Sequence, residues 1–277
     1  MQRNSFKRIR KWMMIVLGIY VLVGFILYFL QEKFLFHPTS LPADHVFNFP
    51  IPFKEVNVAV NKEKNLNIVR FTVPDTTCRG VVLYFHGNRQ NIERYAHRAE
   101  GFTRNNLEVW MIDYPGFGKT TGERSEQALN EDAQLLYRMA RASFGKDSII
   151  LYGKSLGTGV AARLASLRDC RRLILETPYT SIEGLMRNFA WMYPVSLMAK
   201  YHFPIDSYFE TITAPVTLFH GTNDETVRYS HSRKLIALPV PAGAQPRELI
   251  TLEKGKHNNL YDFDLFQHKL DSVLQVE

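Results

Sequence analysis

Short apolar runs without charge recur along the chain from residue 81 onward, and most are separated by longer stretches with helical spacing. The runs are VVLYF (81–85), VWMI (109–112), IILY (149–152), LIL (173–175), VTLF (216–219) and LITL (249–252). Strands that are apolar on both faces are typical of parallel sheets covered by helices. The alternation of such strands with helix-like segments predicts an α/β fold with one mostly parallel sheet.

The segments between these runs are predicted to form the flanking helices. They are IERYAHRAEGFTR (92–104), EQALNEDAQLLYRMARASF (126–144), TGVAARLAS (158–166), SHSRKLIAL (230–238) and NLYDFDLFQHKLDSVL (259–274). Ahead of them, FKEVNVAV and NLNIVRFTV alternate around NKEK, which predicts an antiparallel hairpin. Residues 180–210 interrupt the alternation with NFAWMYPVSLMAKYHFP, which is too long and too aromatic for a plain connection and predicts a small lid insertion.

The N-terminal region has a different pattern. Residues 12–30, WMMIVLGIYVLVGFILYFL, carry no charge and have about the length of a helix that crosses the hydrocarbon core of a membrane. The segment QEKFLFHP follows them, in place of the small residues that precede a signal-peptide cleavage site. We predict an uncleaved transmembrane signal anchor. A cleaved signal peptide and a buried core helix are the alternatives.

The net charge of +7 is concentrated before this apolar segment. Residues 1–11 contain five Lys or Arg and no acid, which leaves 29 basic and 27 acidic residues in the remainder. The remainder is thus nearly balanced, and its composition gives no support for a nucleic-acid partner. The charge asymmetry predicts a cytoplasmic N-terminus and an extracytoplasmic domain, periplasmic or luminal. The predicted organisation is a basic segment (1–11), an anchor (12–30), a tether (31–52) and a domain (53–277). The aromatic side chains of the tether are expected either to lie against the membrane surface or to pack on the domain.

Ser155 lies between two glycines where a predicted strand meets a predicted helix. The local sequence GKSLG matches G-x-S-x-G, in which a strained turn lifts the serine hydroxyl above the sheet. Side chains at Gly153 or Gly157 would crowd this turn, and the following helix directs its free N–H groups at the serine. In this context the motif predicts a nucleophile.

A serine nucleophile needs a base, and the base needs an acid that orients it. In an open α/β sheet, the functional side chains follow the carboxyl ends of the strands. Asp224 follows VTLF and His257 follows LITL, in the chain order serine, acid, histidine. We predict a triad of Ser155, Asp224 and His257, with Glu225 as the alternative acid.

Acyl transfer also needs two N–H donors for the negative oxygen of the tetrahedral intermediate. We predict the backbone N–H of Leu156, directly after the nucleophile, and that of Asn88, in the HGN loop after VVLYF.

The sequence indicates no cofactor and no metal. His86 and His220 each precede a glycine at a strand end and are expected to make structural hydrogen bonds, since no H-E-x-x-H pair is present. Residues 116–122, GFGKTTG, lack the first glycine of a phosphate-binding loop. Cys78 and Cys170 are expected to be separate thiols.

These motifs resemble those of membrane-anchored members of the α/β-hydrolase superfamily, in the branch that includes monoacylglycerol and lysophospholipid hydrolases, protein depalmitoylases and serine-aminopeptidase-like enzymes. The similar segments are YFHGNRQN (84–91), DYPGFGKTTG (113–122), LYGKSLGTGVAARLAS (151–166), ETPYTSI (176–182), HGTNDETV (220–227) and GKHNNL (255–260). The resemblance implies an α/β-hydrolase fold, and it implies the same triad and the same oxyanion donors. Lys154 occupies the variable position of the serine motif, where it is expected to be solvated or to tune the pocket.

We therefore predict a serine hydrolase that cleaves carboxylic esters or thioesters with a lipid-like acyl chain. Its expected partners are a small-molecule or lipid ester and the membrane, while the sequence leaves the oligomeric state open. The alternatives are a serine peptidase, with Glu176 or Glu183 recognising a peptide terminus, and a non-catalytic membrane-anchored binding protein. The residues predicted to contact the substrate are Tyr114 and the lid residues Trp191, Met192 and Tyr193.

Overall fold

The computed structural model describes residues 2–275, which form an eight-stranded central sheet flanked by helices. The strands are β1 (Phe53–Ala59), β2 (Asn65–Phe71), β3 (Gly80–Phe85), β4 (Leu107–Ile112), β5 (Ile149–Lys154), β6 (Arg172–Glu176), β7 (Val216–Gly221) and β8 (Arg247–Leu252). Their order is β1-β2-β4-β3-β5-β6-β7-β8, with β1–β2 and β2–β4 antiparallel and the other pairs parallel. The predicted apolar runs lie in β3 to β8, and β1–β2 is the predicted hairpin.

Apolar side chains pack on both faces of this sheet. In β3, Leu83 and Phe85 belong to one buried cluster, and Tyr84 between them belongs to the other. The helices are α1 (Gln2–Leu35), α2 (Ile92–Tyr95), α3 (Glu100–Thr103), α4 (Glu126–Arg141), α5 (Leu156–Leu167), α6 (Ile182–Ala190), α7 (Val195–Met198), α8 (Ile205–Tyr208), α9 (Ser230–Ile236) and α10 (Asp264–Gln275). Because strand side chains alternate, continuous apolar runs are what a sheet covered on both faces requires.

The segment predicted as one helix over residues 92–104 is divided in the structure. A 3₁₀ turn over Ala96–Ala99 separates α2 from α3. Arg98 lies in this turn, and its guanidinium reaches the carboxylate of Glu176 inside the protein. The spacing of apolar residues in this segment could not predict an ion pair with a residue so distant in the sequence.

The N-terminal helix is longer than the predicted anchor, and part of the segment predicted as a tether packs on the domain. Residues Phe6–Leu35 form a helix long and apolar enough to cross a membrane, and no residue in its most apolar stretch is buried. Phe36, immediately after it, is 3% exposed, and Phe47 is 4% exposed. Phe36 and Phe47 therefore pack onto the domain, while the domain boundaries at residues 30 and 52 stay a prediction.

The lid predicted for residues 180–210 contains α6, α7 and α8, and it packs along α1. The rings of Tyr193 and Tyr20 stack with their centroids 4.5 Å apart. The side-chain amide of Gln31 donates to Met198 O (3.1 Å) and accepts from the Lys200 N–H (2.7 Å). The lid and the C-terminal half of α1 thus form one packed unit beside the carboxyl edge of the sheet.

Candidate active site

Ser155 occupies a strained turn between β5 and α5. Its φ of +50° with ψ of −117° is a conformation that a non-glycine residue rarely adopts, and such strain is concentrated at functional sites. A Cβ at Gly157 would overlap the carbonyl oxygen of Phe85, and a Cβ at Gly153 would overlap that of Gly157. Gly157 is therefore required by the close approach of β3 to the turn, and Gly153 by the close approach of the first turn of α5.

In the predicted triad, His257 lies within hydrogen-bond distance of both Ser155 and Asp224. His257 Nε2 is 2.9 Å from Ser155 Oγ, and His257 Nδ1 is 2.7 Å from Asp224 Oδ2. A proton on Nδ1 is donated to the carboxylate, which leaves Nε2 as the acceptor for the serine hydroxyl. The loops after β5, β7 and β8 thus bring together side chains that are 69 and 33 positions apart.

The Asp224 carboxylate is buried and surrounded by donors. Its Oδ1 accepts the N–H groups of Thr226 (2.9 Å) and Val227 (2.8 Å). His220 Nε2 lies 3.3 Å from Oδ2 and 2.8 Å from the Val227 carbonyl oxygen, so this nitrogen is shared between them. Burial alone would raise the pKa of Asp224, but hydrogen bonds from His220 and His257 outweigh it and hold the pKa well below its ordinary value. The carboxylate is therefore ionised when it faces the imidazole.

The two predicted oxyanion donors lie directly after Ser155 and in the loop that follows the neighbouring strand β3. Leu156 is the first residue of α5, so its N–H has no acceptor within the helix. Asn88 follows β3, whose Phe85 pairs with Gly153 of β5, so the two loops leave the sheet side by side. The Asn88 side-chain amide donates to Leu35 O (2.8 Å), which ties this loop to the end of α1.

The four residues predicted to contact the substrate lie in different environments. Tyr114 is fully buried, and its hydroxyl donates to His86 O (2.8 Å), so it supports the Asn88 loop from inside the core. This location corrects the prediction that Tyr114 contacts substrate. Trp191 and Met192 are 75% and 60% exposed, and Tyr193 packs against α1. The lid tip therefore faces outward and does not cover the serine.

A buried ion-pair network, which the sequence does not predict, lies beneath the serine turn. Glu176, at the end of β6, is fully buried and accepts from Arg98 Nη1 (2.9 Å) and Lys154 Nζ (2.5 Å). Lys154 Nζ also donates to the carbonyl oxygen of His257 (3.2 Å). Lys154 is thus 3% exposed and not solvated, and its side chain joins the serine turn to the histidine loop. The sequence signal for this network is a charged residue of opposite sign at the carboxyl end of each of two neighbouring strands, Lys154 in β5 and Glu176 in β6.

Replacing Glu176 with glutamine should destabilise the protein by about 3–5 kcal/mol, because two cations would stay buried without their counter-charge. The melting temperature of the full chain in detergent should fall by roughly 10 °C. Glu248→Gln is the matched control. Glu248 is exposed beside Arg172 at 3.7 Å, and such surface pairs contribute less than about 1 kcal/mol. Equal losses from the two substitutions would contradict a buried network.

The pH dependence of the same substitution gives a second readout. Burial opposes ionisation, but Arg98 and Lys154 lower the pKa of Glu176 from its ordinary 4.5 to about 2. Between these values the unfolded state binds the additional proton, so acid favours unfolding. The difference in melting temperature between wild type and Glu176→Gln should therefore shrink as the pH falls from 4.5 towards 2. A difference that stayed constant over this range would contradict an ionised Glu176.

The remaining singled-out side chains are engaged in local contacts. His86 Nε2 lies 3.2 Å from Asp113 Oδ1, and His220 Nδ1 lies 2.6 Å from Ser232 Oγ. Within residues 2–275, no group of three or more His, Cys, Asp or Glu side chains could hold a metal ion. Cys78 and Cys170 are both free thiols, as predicted.

Two cavities are relevant to the position of the site. The larger, about 810 Å³, is lined by Lys146, Arg171 and Pro215, which precede strands β5 to β7. It therefore lies at the amino edge of the sheet, away from Ser155. A second cavity of about 460 Å³ lies between α1 and α6, on the carboxyl side.

Comparisons with known proteins agree with this architecture. The sequence profile of the family described as serine aminopeptidase S33 matches residues 76–205. Alpha/beta hydrolase domain-containing protein 17C from Xenopus tropicalis is 30% identical over 200 residues, which cover 71% of this chain and 61% of that protein. The human protein of the same name is also 30% identical over 200 residues, and 57% of its length is covered. The chain thus spans about three fifths of the length of these relatives.

Solved structures show the same fold at low sequence identity. An esterase from Pyrococcus furiosus superposes with a TM-score of 0.64 at 18% identity, over 87% of this chain and 97% of that one. Mouse alpha/beta hydrolase domain-containing protein 10 superposes with a TM-score of 0.59 at 18% identity, over 80% of this chain and 96% of that one. The strand order, the serine turn and these similarities together show that the chain has the α/β-hydrolase fold and is similar in sequence to members of that superfamily.

Proposed function

We propose that this protein is a membrane-anchored serine hydrolase that cleaves carboxylic esters or thioesters with a lipid-like acyl chain. The observation that carries the proposal is the pair of contacts at His257, 2.9 Å to Ser155 Oγ and 2.7 Å to Asp224 Oδ2. A serine, a histidine and a buried carboxylate in this arrangement can activate a hydroxyl for attack on a carbonyl carbon.

In the proposed first half-reaction, Ser155 Oγ attacks the acyl carbon while its proton passes to His257 Nε2. The N–H groups of Leu156 and Asn88 donate to the oxygen that becomes negative, and removing one such donor typically costs about 10²- to 10³-fold in rate. Asp224 stabilises the protonated imidazole. The imidazolium then protonates the departing alcohol or thiol, and the acyl group stays on Ser155.

The second half-reaction returns the protein to its starting state. His257 removes a proton from water, and the hydroxide oxygen bonds to the acyl carbon. The bond to Ser155 Oγ breaks, and the serine recovers its proton from the imidazolium. The products are a carboxylic acid and the alcohol or thiol released earlier.

Two glutamates that could have recognised a peptide terminus are already paired. Glu176 is fully buried against Arg98 and Lys154. The Glu183 carboxylate is in hydrogen-bond contact with His202 Nδ1 and is 15% exposed. This pairing favours ester over peptide substrates, although the matching family profile is described as a serine aminopeptidase.

The contacts of α1 support an anchor that is retained. Gln31 is 7% exposed and holds the lid, while Leu35 O holds the Asn88 loop. Cleavage after the apolar segment would remove Tyr20, on which Tyr193 of the lid stacks. The charge-free stretch of 12–30 corresponds to about 28 Å of helix, close to the thickness of the hydrocarbon core.

A fluorophosphonate probe tests whether the protein is a serine hydrolase. The full chain in phosphatidylcholine nanodiscs should be labelled, and the labelling should be absent in Ser155→Ala and retained in the control Ser166→Ala. Folded wild-type protein that resists labelling would favour the non-catalytic binding role. Turnover of p-nitrophenyl esters but not of aminoacyl p-nitroanilides would then identify an esterase. The reverse preference would identify a peptidase and contradict the ester assignment.

The charge asymmetry around the anchor supports an N-terminus in the cytoplasm and a catalytic domain outside it. A reporter that is active only in the cytoplasm should be inactive when it is fused to the C-terminus. Reporter activity there would reverse the proposed orientation.

A further inference from the structure

The cavity between α1 and α6 is an apolar groove, and among the side chains that the structure describes Gln31 is the one polar group in its lining. The α1 side consists of Leu27, Gln31, Phe34 and Leu35, and Leu185 and Phe189 lie on the opposite side, on α6. The Gln31 amide is occupied by the lid backbone at Met198 and Lys200. The groove therefore presents hydrocarbon to any ligand. Its volume of about 460 Å³ lies in the usual range of ligand pockets.

One end of the groove adjoins the proposed oxyanion site. Leu35 lines the groove, and its carbonyl oxygen accepts from the Asn88 side chain at 2.8 Å. Ile182 lines the groove from the lid and packs in the same apolar cluster as Leu156. Asn88 is thus in direct contact with the groove wall, and Leu156 belongs to the apolar cluster that supports this wall.

The other end of the groove opens beside the apolar segment of α1. From Leu35 to Leu27 the groove extends about 12 Å along the helix. Phe189 at this end is 84% exposed, and Leu197 of the lid is 83% exposed. The lid reaches further, to Tyr20, which lies well inside the charge-free stretch. When α1 spans a bilayer, this end of the groove faces lipid chains and not water.

We infer that the groove binds the acyl chain of the ester substrate, which enters sideways from the hydrocarbon of the bilayer. The inference rests on the proposed function and specifies its substrate as a membrane lipid ester or thioester with a long acyl chain. The carbonyl end of the chain lies at Ser155, and the methyl end points along α1 towards the membrane. The exposed apolar lid tip is then a surface immersed in lipid, which explains why Trp191 and Met192 do not cover the serine.

Four leucine-to-tryptophan substitutions test this inference in the full chain in phosphatidylcholine nanodiscs. Leu27→Trp and Leu185→Trp fill the groove from its two sides. The controls are Leu22→Trp and Leu197→Trp, at side chains that are 58% and 83% exposed outside the groove. Leu22 lies about 140° around the helix from Leu27. The readout is the ratio of kcat/KM for p-nitrophenyl octanoate to that for p-nitrophenyl butyrate. Each ester partitions into the bilayer equally in all variants, so a difference in this ratio between variants comes from the protein.

Wild type should prefer octanoate by at least about tenfold, since each buried methylene favours binding about fourfold. Leu27→Trp and Leu185→Trp should each lower the ratio about tenfold, and the two controls should leave it unchanged. Labelling of Ser155 by a small fluorophosphonate shows that each variant is folded. Butyrate turnover with no preference for octanoate, or an equal loss for both esters in the filled variants, would overturn the groove alone. A wild type that hydrolyses neither ester and resists the probe would overturn the proposed function and the groove with it.

Discussion

Replacing Ser155 with alanine should lower kcat/KM for ester hydrolysis by about 10⁴- to 10⁶-fold. The substitution removes the only oxygen of the side chain at the point where the strained turn, His257 and the α5 N-terminus meet. The volume change is small, and the hydrogen bond from the Ser155 N–H to Glu176 O (2.9 Å) is retained. The fold should therefore survive, and the loss is expected in the chemical step. Initial rates with p-nitrophenyl butyrate measure it.

The matched control for this loss is Ser166→Ala on the same helix. Ser166 Oγ donates to the Arg163 carbonyl oxygen (2.7 Å) near the opposite end of α5, so its removal should leave the rate unchanged. A Ser155→Ala protein that kept more than a tenth of the wild-type rate would contradict nucleophilic attack by this residue.

Replacing Asp224 with asparagine should lower kcat by about 10⁴-fold while the geometry of the site is kept. The asparagine amide would favour the imidazole tautomer with its proton on Nε2, so the nitrogen that faces Ser155 could no longer accept the hydroxyl proton. Positive charge on His257 would also lose the carboxylate at 2.7 Å. The measurement is kcat at saturating ester, with melting temperature as the check on folding.

Glu225→Gln distinguishes the two acids that the sequence offered. Asp224 is 5% exposed and accepts from His257, whereas Glu225 is exposed on the same loop. The glutamine substitution should leave kcat within twofold of wild type. A large loss for Glu225→Gln together with a small one for Asp224→Asn would reassign the acid.

The sheet and the site could be predicted from sequence because their signals are local. Continuous apolar runs identify buried parallel strands, and the residues directly after them form the carboxyl edge where Ser155, Asp224 and His257 lie. G-x-S-x-G adds steric information, since the structure shows that Gly153 and Gly157 have no room for a Cβ. These features depend on a few neighbouring residues each.

The features that sequence reasoning missed depend on contacts between distant elements. The motif leaves the position of Lys154 variable, so its side chain is expected to be solvated or to tune the pocket. In the structure it is buried and paired with Glu176, which also binds Arg98 from another element. The position of Tyr114 after a strand suggested a substrate contact, but its hydroxyl has a partner in the core. The hydrophobic patterns of α1 and of the lid do not predict that Tyr20 stacks on Tyr193.

The central claim is that the acyl group is transferred to Ser155 during turnover, and trapping the intermediate tests it most directly. The full chain in nanodiscs is mixed with p-nitrophenyl octanoate, quenched in acid within milliseconds, digested and analysed by peptide mass spectrometry. We predict an octanoyl group on the peptide that contains Ser155, located on the serine by fragmentation and absent from Ser155→Ala. Ester turnover with no octanoyl group on Ser155, or with the group on another residue, would contradict the account.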